Sequence, residues 1–168
     1  HSLLMIDDIK QWVEDFVSVH NTELGTVPCP FAKQAMLNDT IAYKEFKDEG
    51  TSTLRFQFYE LVNDGWDDDN EVLVLYANTY EMSVEELQAT VTQFNNTCSH
   101  LNKDLVALED HPSDPEEVNG VTMNFGKCIL VLVQRLSKLN KASAMLKKQG
   151  YYDNWSQENY DDVVSWRI

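Results

Sequence analysis

A chain of 168 residues with 43% hydrophobic content has the length and the apolar material for one packed domain spanning residues 1–168. Its 28 acids against 13 bases leave a net charge of −15, which excludes nonspecific binding to nucleic acid or to an anionic membrane, because both are polyanions. No run approaches the roughly 18 to 20 apolar residues of a membrane span and no basic, apolar, small-residue signal pattern opens the chain, so a soluble, cytoplasmic protein is expected.

Cys29, Cys98 and Cys128 are an odd number in a chain large enough to stand without staples, and reduced thiols are the expectation. His1-Ser2, with no initiator Met, reads as the remnant of a cleaved tag. Asn38-Asp39-Thr40, Asn95-Asn96-Thr97 and Asn154-Trp155-Ser156 match the glycosylation pattern, and without a signal segment they read as chance.

In chain order, Met5, Ile9, Trp12, Val13, Phe16 and Val17 recur every three or four residues among acids, which predicts an amphipathic helix over 3–19. Gly25 closes the linker that follows. Pro28 and Pro30 push Val27 and Cys29 toward extended geometry, and Pro30 suits the first position of a short helix through Leu37, with Cys29 as its N-cap. Residues 40–46 alternate apolar and polar side chains and predict a strand. Leu54, Phe58, Leu61 and Val62 make a helical stripe that stops at Asn63-Asp64-Gly65, although Leu54, Phe56 and Phe58 also fit a strand face.

Six acids crowd Glu60 to Glu71 without the alternating ligands and central Gly of a calcium loop, so this is a solvated acidic turn and no metal site is expected. Residues 72–77 are a continuous apolar run, the pattern of a strand covered on both faces. Ser83-Val84-Glu85-Glu86 is a capping box opening a helix whose stripe includes Cys98, a thiol that reads as core. Residues 105–108 and 128–133 predict the third and fourth strands, with the Asp110-His111-Pro112 loop between them and Cys128 as a structural thiol. Ser137 then caps a helix that runs to Gly150.

Residues 127–148 carry six cations and no acid, which leaves the remainder of the chain at −21. Such a face is attracted to the acidic remainder, to a second copy in a homo-oligomer, or to a small anionic ligand. The aromatic, acidic tail over 151–168 lacks clear periodicity and reads as a strap packed on the body.

Laid out this way, the chain resembles an uncharacterised bacterial family with an N-terminal helix, a Cys-Pro-Phe-Ala-Lys loop, an apolar strand, a His-Pro loop, an Asp-Pro-acid-acid segment and a further apolar strand. Here these are Cys29 to Lys33, Glu71 to Ala77, His111-Pro112, Asp114-Pro115-Glu116-Glu117 and Ile129 to Val133, within residues 9–142. Met123-Asn124-Phe125-Gly126-Lys127 stands where that family has a proline- and tyrosine-containing stretch, and the family supplies no established reaction. In the layout of its Cys loop and Asp-Pro loop the chain is more distantly similar to heme-dependent amino-acid N-hydroxylases. No residue matches their heme-ligand segment, since Gln134 to Ala142 contains no His, and the cofactor stays unknown.

Chemistry concentrates in the two proline-stiffened loops. A cysteine at a helix N-terminus sees the positive end of the dipole, and Lys33 one turn on adds to the field, so a thiolate at Cys29 is the sharp reading. His111, flanked by Asp110, is the candidate base, provided the two loops meet. Phe31, Lys33, Asp114 and Arg135 are the candidate ligand-binding residues. The bland reading is that Cys29 is a small buried residue fixing the Pro-Cys-Pro turn while His111 caps its loop.

The expected architecture is α/β: a single-domain sandwich with one mixed four-stranded sheet packed by helices. The leading functional expectation is a ligand or active-site cleft between the Cys29 and His111 loops. The alternative is a noncatalytic acidic interaction protein that binds a basic partner through the Glu60 to Glu71 region and the tail.

Overall fold

The computed structural model describes residues 4–78 and 81–168; the expected tag remnant His1-Ser2 lies outside them. The elements are α1 (Met5–Trp12), α2 (Pro30–Leu37), β1 (Ile41–Glu45), α3 (Ser52–Val62), β2 (Val72–Ala77), α4 (Val84–His100), β3 (Val106–Asp110), β4 (Glu117–Val118), β5 (Val121–Thr122), β6 (Ile129–Gln134), α5 (Leu136–Lys148) and α6 (Gln157–Val163). The main sheet has the order β1-β2-β6-β3. β1 runs parallel to β2, and β6 is antiparallel to both of its neighbours, so the sheet is mixed as expected.

The continuous apolar strands sit in the middle of the sheet because both of their faces are covered. Leu75 and Ala77 of β2, with Ile129, Val131 and Val133 of β6, face Leu54, Phe58 and Leu61 of α3 and Leu87, Val91, Phe94 and Cys98 of α4. Val72, Val74 and Tyr76, with Leu130, point the other way, toward Ile9 of α1 and Ala35 of α2. Period-two alternation thus divides one apolar run between two cores. Each fully buried Leu, Ile or Val in them contributes about 1.5 to 3 kcal/mol.

Several local expectations hold at atomic detail. Ser83 Oγ accepts the Glu86 amide at 3.1 Å while Glu86 returns the bond to the Ser83 amide at 3.0 Å. Residues 52–62 resolve to helix, because only helical spacing buries Leu54, Phe58 and Leu61 together. The three cysteines are unpaired by disulfides. Burial pushes Cys98 up to about 11 and Cys128 up to about 12, which makes both inert core thiols.

Other details depart from expectation. The first helix is α only to Trp12 and then widens into a π turn over Val13–Val17. β3 runs two residues past Leu108, so Asp110 is its last residue and His111 follows directly. Ser137 is not an N-cap: α5 starts one residue earlier, and the Asp104 carboxylate accepts both the Ser137 amide, at 2.7 Å, and the Ser137 hydroxyl. Asn119-Gly120, both at positive φ, make a two-residue turn that pairs Val118 with Val121 in a small hairpin.

The tail is a strap that carries α6 and a short 3-10 turn over Ser165–Arg167. Tyr151 of this segment reaches the carbonyls of Val27 and Pro28, and the buried Arg167 bonds side chains of α5. Among the described residues no helix is long and apolar enough to cross a membrane.

Candidate functional site

The Cys29 loop folds locally as its prolines require. Cys29 is extended, with φ −141° and ψ 95°, Pro30 opens α2, and Sγ accepts the Ala32 amide at 3.4 Å. The C-terminal segment closes over this turn. Tyr151 Oη lies 2.9 Å from the Val27 carbonyl and 2.6 Å from that of Pro28. Arg167, 8% exposed, donates to Val163 O, Asn140 Oδ1 and Ser143 Oγ, and its charge reaches Cys29.

Cys29 is partly exposed as a residue, yet desolvation by the groups packed around its sulfur pushes the thiol up. The amides of Ala32 and Phe31, and then the Arg167 guanidinium, pull the other way without reversing it. The helix N-terminus is therefore real, and its effect on the thiol is smaller than that of desolvation. Phe31 packs with the α1 and α2 side of the core, and Lys33 is partly buried on α2.

His111, 5% exposed, is held at both ring nitrogens. Nδ1 accepts the Ser113 amide at 3.0 Å, and Nε2 lies 2.8 Å from the Met82 carbonyl, to which it donates. One neutral tautomer satisfies both bonds, which makes His111 a clasp between the end of β3 and the start of α4. Asp114 follows it with its amide on the His111 carbonyl and its carboxylate near Gln88. The contacts thus group Cys29 with Arg167, Tyr151 and Tyr152, and group His111 with Asp110, Asp114, Ser113 and Met82.

Asp110 is the most perturbed carboxyl of the second group. Burial is the main cause and the charges of Glu116 and Asp114 add to it, so its pKa is pushed up to about 6; the Phe125 amide, donating at 2.9 Å to Oδ2, opposes this. Oδ1 is buried and has no donor among the described residues.

A third constellation lies at the acidic turn, on the other side of the sheet from α1 and α2. Arg135 pairs with Asp68, holding that carboxyl below its ordinary value, and its guanidinium lies 5.6 Å from the centroid of the Trp66 ring. Arg135, expected to hold an anionic ligand, is thus engaged with the acidic turn itself.

Gly65 shapes this turn. Its amide donates to Glu60 O at 2.9 Å, and a Cβ there would meet that oxygen at 2.5 Å, so only glycine closes α3 this way. Between the end of α3, the turn and β1–β2 lies a recess of about 150 Å³, floored by Leu61, Leu73 and Leu75 and walled by Trp66.

On its solvent side α3 carries two outward aromatic rings: Phe56 is 59% and Tyr59 67% exposed. Glu60, Asp64, Asp67, Asp68 and Asp69 are exposed beyond them. Lys103 pairs with Asp64 and Arg135 with Asp68. From sequence, residues 60–71 read as a solvated acidic turn and, in the alternative reading, as part of the surface for a basic partner, while Phe56 enters only as a possible strand position. The signal present in the sequence was the offset of Phe56 and Tyr59 from the Leu54-Phe58-Leu61 stripe, which turns both rings out of the core.

No family model, no curated protein and no solved structure matches the chain.

Proposed function

We propose that this protein is a noncatalytic interaction protein that binds a basic protein partner through α3 and the acidic turn after it. The observation that carries the reading is the exposed Phe56 and Tyr59 pair beside exposed carboxylates. Exposed apolar surface rimmed by polar residues marks interaction sites, and aromatic anchors are among the side chains that carry affinity at protein interfaces. The surrounding carboxylates set the sign of the partner and speed its encounter. Engagement of both His111 nitrogens and the raised Cys29 thiol support this reading over nucleophilic catalysis. The tail contributes as a structural strap, since Tyr151 and Arg167 are committed to the body.

Fluorescence anisotropy with three labelled peptides tests this: an amphipathic lysine/leucine helix, its glutamate/leucine counterpart, and a lysine/serine peptide of equal charge. The lysine/leucine peptide is expected to bind, the glutamate/leucine peptide not to, and the lysine/serine peptide to bind more weakly. Phe56→Ala with Tyr59→Ala is expected to weaken the first by at least about tenfold, a change of about 1.4 kcal/mol. Unchanged affinity in that double variant would refute the reading.

A second reading keeps the Cys29 loop as a site for a small anionic ligand. It is favoured by one observation: the buried Arg167 bonds neutral groups, and no carboxylate pairs with it among the described residues. A rise in melting temperature with phosphate or citrate at fixed ionic strength, lost in Arg167→Gln, would support it, and equal rises in both proteins would eliminate it.

A further inference from the structure

The recess beside Trp66 has no assigned role. We infer that it receives one arginine side chain of the basic partner, an inference that rests on the interaction reading above.

Size comes first. A cavity of about 150 Å³ in an apolar protein interior accepts a benzene-sized group of roughly six heavy atoms, and the outer part of an arginine side chain is of that order. Chemistry follows from the lining. Leu61, Leu73 and Leu75 offer apolar lining to the methylene stem, and the acidic residues Glu60 and Asp67 belong to the same lining. Planar guanidinium, with its fork of donors, matches such carboxylates better than a point-charged ammonium does. Lys44 is the one cation of the lining, and it is solvent-exposed on a flexible stem.

The protein already carries a pattern for this recognition. Arg135 places its guanidinium against the Trp66 ring and on Asp68, so an aromatic wall and an acidic-turn carboxylate hold one arginine from within the chain. Glu60 and Asp67 line the recess with that same Trp66, and neither is taken up by an ion pair among the described residues, although Asp67 Oδ1 accepts the Asp69 amide at 2.9 Å.

Position links the recess to the docking face. On α3, Gln57, Glu60 and Leu61 share one stripe by their spacing of three and four, and Phe56 is about 40° around the helix from Glu60. Glu60 thus lies on α3 between Phe56 and the recess-lining Gln57, and a partner segment lying over Phe56 reaches the recess at its Glu60 edge.

The test follows the Trp66 indole N–H signal by NMR, assigned with Trp66→Phe, during titration with N-acetyl-arginine methylamide and its citrulline and lysine analogues. The arginine amide is expected to shift the signal, the citrulline amide at equal concentration not to, and the lysine amide to shift it less. Glu60→Gln with Asp67→Asn, both at exposed positions, is expected to weaken the arginine response by about tenfold. Equal responses to arginine and citrulline, equal responses to arginine and lysine, or no effect of the double variant would each overturn the assignment. If these fail while the lysine/leucine peptide still binds through Phe56 and Tyr59, only the recess is refuted. Loss of both would remove the interaction reading with it.

Discussion

Asp110→Asn is the perturbation whose outcome is most closely bound by the structure. The native carboxyl has a pKa of about 6 against an ordinary value of 3.8, chiefly because it is buried. Between those values the native state holds a proton that the unfolded state has released. This group's contribution is therefore fully present below about pH 4 and is lost as pH rises through about 6. A shift of about two units corresponds to about 3 kcal/mol across that window. Asparagine preserves an acceptor for the Phe125 amide and removes the titration. Its static cost, from a buried amide in place of Oδ1, is the same at every pH and drops out of the comparison.

Urea unfolding followed by tryptophan fluorescence at several pH values between 4 and 7.5 measures both proteins. The stability of the variant relative to wild type is expected to climb by about 3 kcal/mol from the acidic to the neutral end. A difference profile flat to within about 0.5 kcal/mol would show that Asp110 titrates alike in both states, and the account of its burial would be wrong.

Cys29 is expected to react with iodoacetamide at pH 7 at least about tenfold more slowly than free cysteine, since burial raises its thiol; a rate at or above that of the free thiol would restore the catalytic expectation. Gly65→Ala is expected to cost about 1 to 3 kcal/mol in urea unfolding, because its Cβ would meet Glu60 O at 2.5 Å, and a neutral result would disprove the tight closure of α3. Tyr151→Phe leaves the carbonyls of Val27 and Pro28 without their hydroxyl donor. It should destabilise the protein by about 1 to 3 kcal/mol and speed limited proteolysis near residues 149–156; unchanged proteolysis would mean that the strap is held by other contacts.

The sequence by itself determined the elements that depend on neighbours in the chain. The 3.6-residue stripe of α4 with its capping box, the two-sided apolar runs of β2 and β6, and the Pro30-led helix with Cys29 at its cap all follow from spacings of a few residues. The mixed sheet was legible too, because no helix separates the third and fourth expected strands. Even the hairpin at Asn119-Gly120 had its signal between Val118 and Val121, although it was short enough to pass as loop.

Only the tertiary structure decided which distant groups meet. Arg135 finds Asp68 and Trp66, Asp104 caps α5 in place of a residue of its own segment, and Tyr151 seals a loop 124 positions earlier in the chain. It also decided that burial outweighs the helix dipole at Cys29 and that Phe56 and Tyr59 are left facing water. Strand order, helix placement and depth set these pairings, and none of them is written in local periodicity. A side chain's face can be read from its neighbours, whereas its charge state and its partners depend on what the rest of the chain packs against it.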